Sequence, residues 1–200
     1  MVLVQPNGQR SFLTDRGVAS HLAHFDATLM NDVSILHVPT YSLTDEPLAS
    51  TCAQYITLAR ATGAIISIDA SSSSVLTKYG TDRYRALIQL LEPDVFMCNE
   101  DEAKVIGLGA QQPIVGAALT IIKQGPLPVI AVQHDGTTTE VAVTPVANIV
   151  DTTGAGDAFA AGFLPHYAQT KNIGNAIAQG NALALRVLQS PGATLNSSQQ

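Results

Sequence analysis

Residues 151–164 read Asp-Thr-Thr-Gly-Ala-Gly-Asp-Ala-Phe-Ala-Ala-Gly-Phe-Leu. Gly154 and Gly156 let the backbone turn tightly and approach a ligand closely. The Ala- and Phe-containing run behind them reads as a helix. The unpaired N–H groups of its first turn then point at that ligand, which makes an anion site at a helix N-terminus. Asp157 stands apart, because a carboxylate beside an anion hole repels a phosphate unless it has a task. One such task is to accept the proton of a hydroxyl that attacks phosphorus. The plainer account of the same residues is a strand-to-helix turn with Asp157 stabilised by the helix dipole.

Working outward, strand and helix signals alternate. Val2–Val4 and Arg10–Leu13 flank Pro6-Asn7-Gly8, which predicts an opening hairpin. Val33–Val38 reads as a strand. Thr44 can cap a helix that runs to Thr62 and stops at Gly63. Ala64–Ile68 is a buried strand ending at Asp69, and Ser71–Ser74 reads as a loop. A helix over 81–91 precedes a strand over 94–98. A short helix follows Asn99 and stops at Gly107. Residues 113–123 read as a further helix, with Gly125-Pro126 as its stop. Val129–Val132 is a strand, Asp135-Gly136 a turn, and Thr139–Val143 and Val146–Val150 are strands. Helices from Gly154 to about Ala168 and from Ile173 to Gln189 close the chain. This alternation predicts an α/β fold, a mostly parallel sheet with helices on both faces. Ligands of such sheets sit beyond the carboxyl ends of the strands. The loops after Ile68, Cys98, Val132 and Val150 are therefore expected on one rim.

The chain has 200 residues, which suits a single domain over 1–200. Ten basic residues against sixteen acidic ones give a net charge of −6, too few cations for a nucleic-acid face. Cys52 and Cys98 are far apart and form no CxxC pair, so neither a disulfide framework nor a zinc site is expected. The apolar run at the N-terminus breaks at Gln5, unlike a signal peptide. No run of eighteen apolar residues exists to cross a membrane. A soluble cytoplasmic protein is the expectation.

DTTGAGDAFAAGFL resembles the C-terminal signature of the PfkB, or ribokinase-like, carbohydrate kinases. The resemblance implies that Asp157 is the catalytic base and that the backbone of Gly154, Ala155 and Gly156 is the anion hole, with Thr153 beside the nucleotide. It implies that Asp151 helps shape a monovalent-cation site in some members. Asn99-Glu100-Asp101-Glu102 is similar to the family's NxxE motif, in which Asn99 and Glu102 would organise Mg2+ and the phosphates of ATP. The same four residues also spell a near capping box, and both readings can hold at once. Gln133-His134-Asp135-Gly136 looks like the position of the family's TLGxxG turn. Gly136 is kept there, while Ala131 and Gln133 replace the usual Thr and Gly. Asn181-Ala182 and Gly192-Ala193 resemble the last helix and following turn, which places Asn181 beside the adenine or, more plainly, on a packed helix. Asp69 is a candidate contact for substrate or phosphate, or a loop cap. Upstream, PNGQRSFL, DRGVASHL and HVPTYSL resemble successive family segments, so the likeness covers nearly the whole chain.

The family's long N-terminal segment, with its glycine-glycine and asparagine sugar motif, has no counterpart. The chain is therefore read as a partial kinase domain that holds the catalytic and nucleotide half. The implied reaction is ATP-dependent phosphorylation of a hydroxyl on a sugar or sugar-like molecule. The alternatives are a nucleoside or vitamin-precursor kinase of the same superfamily, and a non-catalytic nucleotide-binding or structural remnant. A homodimer is the assembly left open, and no nucleic acid or membrane partner is expected.

Overall fold

The computed structural model describes residues 2–4, 10–12, 15–109, 111–146, 148–190 and 192. Two compact units result, one of Ala19–Val143 and one of Met1–Val18 with Thr144–Gln200.

The larger unit is a six-stranded sheet with its helices. With β1 (Val2–Val4) and β2 (Arg10–Phe12) forming the opening hairpin, the sheet strands are β3 (Ile35–Pro39), β4 (Ile65–Asp69), β5 (Val95–Asn99), β6 (Leu119–Lys123), β7 (Val129–Gln133) and β8 (Thr138–Val141). They lie in sequence order across the sheet. Strands β3 to β6 are parallel, with Ile35 opposite Ile65, Ser67 opposite Val95 and Asn99 opposite Lys123. Helix α1 (Leu48–Ala61), α2 (Ser73–Tyr79), α3 (Thr81–Leu91) and α4 (Glu100–Val105) lie between the parallel strands. Central β5 is apolar at four successive positions, and Val95, Phe96, Met97 and Cys98 are all fully buried. That is the pattern of a strand covered on both faces. Phe96 and Cys98 share one core with Ile66, Ile68 and Ile122, and Ile56 of α1, Leu76 of α2 and Ile88 of α3 pack into it.

Several expectations change. Residues 113–123 are not a helix; only Leu119–Lys123 is regular, and it is strand β6. Thr120, Ile121 and Ile122 are β-branched and buried, which favours a strand. Gly116 just before them sits at φ +101, where no helix continues. Five residues join β6 to β7, too few for a parallel crossover, so β7 and β8 run antiparallel. Helix α1 starts at Leu48, not after Thr44, because Pro47 restricts the residue before it and heads the helix. The serine run is a loop only at its start: Ser72 caps α2, accepting from Val75 N, and Ser73 and Ser74 are helical. Among the described residues of 146–150 there is no strand, and Ile149 and Val150 are more than half exposed.

The opening hairpin is found as expected, with Val2 opposite Phe12; its turn lies outside the described residues. The smaller unit is built on α5 (Ala155–Thr170) and α6 (Ile173–Leu188). Asn172 caps α6 through Asn175 N. Gly162 and Gly180 bring the two helices together: a Cβ on Gly162 would lie 2.5 Å from the Gln179 carbonyl oxygen, and one on Gly180 2.8 Å from the Phe159 ring. No helix among the described residues is long and apolar enough to cross a membrane.

Candidate active site

The candidate residues fall in both units, and each cluster is a set of its own. In the sheet unit, parallel β4, β5 and β6 end side by side. Their last residues are Asp69, Asn99 and Lys123. This is the rim at which ligands of such sheets bind.

Asn99 and Glu102 form a complete capping box. Asn99 Oδ1 accepts from Glu102 N at 2.9 Å, and Glu102 Oε2 accepts from Asn99 N at 2.8 Å. The box exists because Asn favours the cap position and a carboxyl three residues on reaches back to its N–H. Glu102 is only 4% exposed. Burial pushes its carboxyl above the ordinary glutamate range, and the Asn99 N–H offsets part of that rise. Its second oxygen has no hydrogen-bond partner among the described residues, yet it is not sealed from solvent. A raised folded-state pKa means that stability is full below the unfolded value and falls as pH rises through the folded one. Glu102→Gln keeps the acceptor and cannot ionise. The variant should gain stability over the parent as pH rises from 4 to 7, read as the urea midpoint at each pH. An equal difference at both pH values would contradict the burial argument.

Asp69 holds an ion pair that the sequence reading did not anticipate. Lys123 Nζ lies 2.9 Å from Asp69 Oδ2, and the two side chains are 16% and 15% exposed. Asp69 Oδ1 accepts from Ser71 N at 2.7 Å. Burial alone would raise the Asp69 pKa, but the Lys123 charge and hydrogen bond win and hold it below the ordinary range. The same pairing keeps Lys123 above its usual value against burial. The Asp69 carbonyl accepts from Thr40 Oγ1 at 2.8 Å, so the bond between Thr40 Oγ1 and Tyr84 at 2.7 Å has the phenol as donor. Desolvation drives the buried Tyr84 phenol and Cys98 thiol well above their ordinary ranges, so neither ionises near neutrality. Cys52 is likewise pushed up, to about 11.

Gly136 lies elsewhere. It closes the turn between β7 and β8, with Gly136 N donating to Gln133 O at 2.9 Å. Gln133 pairs with Leu119, the first residue of β6. The loop after Val132 is therefore at the opposite end of the sheet from Asp69 and Asn99, because β7 is antiparallel. The loop that does share their rim is 124–128, between Lys123 and β7. Reading 113–123 as a helix hid both Lys123 and this loop. A run of β-branched residues before a Gly-Pro pair was the available signal.

In the helical unit, the glycine turn is ordered by Asp151. Its Oδ1 accepts from Thr153 N at 2.8 Å and from Thr153 Oγ1 at 2.7 Å, and its Oδ2 accepts from Gly192 N at 3.2 Å. Gly154 caps α5 in the left-handed region, at φ 76 and ψ 2, a conformation glycine adopts without strain. Ala155 N makes a long contact of 3.4 Å with Thr152 O, and Ala158 N is the first to bond within the helix, to Gly154 O at 2.8 Å. The N–H groups of Gly156 and Asp157 have no acceptor among the described residues. The Asp157 carboxylate is exposed and carries no hydrogen bond or ion pair there. The turn thus presents open donors beside an unengaged carboxylate. On α6, Asn181 is half-buried, and its amide nitrogen is shut off from solvent with no partner. Among the described residues, no group of three His, Cys, Asp or Glu side chains could hold a metal ion.

A mixed sheet whose parallel strands β4, β5 and β6 end in Asp69, Asn99 and Lys123, with helices between them, defines an α/β protein. A family model described as "pfkB family carbohydrate kinase" matches residues 1–200. The chain belongs to that family. A 2-dehydro-3-deoxygluconokinase of Haemophilus influenzae is 46% identical over 52 residues, which is 26% of this chain and 17% of that protein. The crystal structure of a probable sugar kinase from Rhizobium etli CFN 42 superposes with a TM-score of 0.87 at 21% identity, over 99% of this chain and 62% of that one. A fructokinase with bound ATP from Xylella fastidiosa gives 0.79 at 22% identity, over 96% of this chain and 68% of that one. The chain thus spans less than two thirds of the Rhizobium protein.

Proposed function

We propose that this chain carries the catalytic and nucleotide-binding part of a kinase that moves the terminal phosphoryl group of ATP to a hydroxyl of a sugar or sugar acid. The observation that carries the reading is Asp157, an exposed, unengaged carboxylate in the first turn of a helix whose N–H groups are still open. The family model runs unbroken from 1 to 200, which supports treating the two units as one kinase domain.

In this mechanism Asp157 accepts the proton of the attacking hydroxyl. The N–H groups of Gly156 and Asp157, with the turn shaped by Gly154 and Ala155, stabilise charge on the transferred phosphoryl oxygens. Positioning and electrostatics of this kind supply most of the acceleration in phosphoryl transfer. Mg2+ keeps several waters and takes one or two carboxylates plus phosphate oxygens. The second oxygen of Glu102, on a side chain fixed by Asn99 and without a hydrogen-bond partner among the described residues, fits that role through water. Bound there, the ion would neutralise charge on the phosphates. The resemblance would place a monovalent cation near Asp151, whose oxygens accept from Thr153 and Gly192 and so shape that loop. No step is assigned to that ion. Asn181 remains the candidate adenine contact, and its unpaired amide nitrogen supports a polar role. The buried, un-ionised thiols suit a reducing compartment where ATP is plentiful, such as the cytoplasm.

The test is calorimetric titration of the 200-residue chain with ATP and Mg2+, run beside an ADP-release assay over sugars, sugar acids and nucleosides. Nucleotide binding, with or without turnover on this part of the domain, is the expected result. A folded chain that neither binds nucleotide nor releases ADP overturns the reading in favour of a structural remnant.

A further inference from the structure

Residues of α5 and α6 line a cleft of about 310 Å3, at the lower end of the sizes that hold small molecules. It belongs wholly to the helical unit, and none of residues 151–157 lines it. Gly162, Pro165 and Leu183 make its apolar part, and His166, Gln169, Gln179 and Arg186 its polar part. Among the described residues, no Asp or Glu lines it. Helical spacing brings these groups together: 162, 165, 166 and 169 share one face of α5, and 179, 183 and 186 share one face of α6. Gly162 contributes bare backbone, because a Cβ there would collide with the Gln179 carbonyl oxygen.

Two features of this face are not explained by stability. Pro165 stands inside α5, where its missing N–H removes a helical hydrogen bond. It is exposed, so core packing does not offset that cost. Charge is the second feature. The chain has a net charge of −6, yet residues 158–200 hold no Asp or Glu, the longest such stretch of the sequence, and His166, Lys171 and Arg186 fall within it. Departures from local propensity of this kind are expected where a site is built. The side chains of His166, Gln169 and Gln179 make no hydrogen bond or ion pair among the described residues. Arg186 has five donors in a planar fork, more than a single partner uses.

We propose that this cleft binds a small organic acid, with its carboxylate on Arg186 and His166 and its apolar body against Pro165 and Leu183. A guanidinium meets a carboxylate with two parallel charge-assisted hydrogen bonds. His166 keeps a ring N–H donor in either protonation state, and each glutamine amide adds two donors. The apolar wall offers nothing to a hydrated inorganic ion, so it selects an acid that has a carbon skeleton. No bond is made or broken, and the chemistry of the cleft is independent of the kinase reading.

Benzoate is the probe. It is titrated into the isotope-labelled 200-residue chain, and backbone amide shifts are followed by NMR. Saturable shifts concentrated at 162–169 and 179–186 are the expected result. Benzamide has the same ring and no charge, and should bind at least about tenfold more weakly, the effect of losing a charge-assisted hydrogen bond. Arg186→Gln should weaken benzoate binding by a similar factor. Gln179 is exposed, so Gln179→Glu keeps the fold while setting a like charge in the cleft. It should weaken benzoate binding by about threefold or more, and it decides the matter where Arg186→Gln fails to fold. Inorganic phosphate carries charge without an apolar body and should bind more weakly than benzoate. Benzoate that does not bind, that shifts other residues, or that binds the parent and both variants alike overturns the proposal. Benzamide matching benzoate would leave only an apolar crevice, and phosphate matching it only a plain anion site; either result also overturns it.

Discussion

Replacing Asp157 with alanine should lower kcat in the ADP-release assay by about a hundredfold to ten-thousandfold, the usual worth of a positioned general base. Nucleotide affinity should stay within about threefold, because no contact to the nucleotide is assigned to the side chain. The split between kcat and affinity decides between the two accounts of this residue. A carboxylate that merely complements the helix dipole is worth about 0.3–1 kcal/mol of stability and touches no rate. The fold itself should tolerate the change, since Asp157 is exposed and bonds to nothing among the described residues. Activity within tenfold of the parent would remove the base from Asp157.

Gly162→Ala should destabilise the chain markedly although it lies far from the proposed chemistry. Its new Cβ would fall 2.5 Å from the Gln179 carbonyl oxygen and 3.0 Å from the Gly180 Cα, both backbone atoms of the facing helix. Neither can rotate away, so α5 and α6 must separate. Overpacking of this kind costs about 1–3 kcal/mol. For a chain of this length that is a fall of about 2–12 °C in melting temperature. Gly174→Ala is the matched control. It lies on α6, and its Cβ would meet only Asn172 Oδ1, at 3.8 Å. Comparable melting of the two variants would mean that helix propensity, and not the helix contact, sets the effect.

The parts of the fold legible in the sequence are those where local signals agree with one another. Asp69 and Asn99 were placed correctly at strand ends because an apolar run stops at a polar residue in each case. The capping box at Asn99 could be read because its two bonds are local, three residues apart. The glycine turn was legible for the same reason: positive φ at Gly154 and the helix after it are written within seven residues. The misreadings arose where tertiary context decides. Residues 113–118 hold a proline and a glycine in irregular structure, and Leu119–Lys123 becomes a strand only because both neighbours in the sheet accept it. Once that strand was missed, so was the reversal of β7, and Gly136 was assigned to the wrong end of the sheet. The Asp69–Lys123 pair joins residues 54 apart. No local pattern announces such a contact.

The glycine turn has one further property. Just before it, Val150 N donates to Leu188 O at 2.8 Å, and Asp151 Oδ2 takes Gly192 N, 41 residues along the chain. Both bonds fasten the chain entering the turn to the residues at or just past the end of α6. The loop from 150 to 192 is thus clasped at its base. Folding of the helix pair sets the direction of the open N–H groups in advance. Under the proposed function, an arriving phosphate would meet a preorganised turn, and its binding would not bear the entropy of ordering that segment.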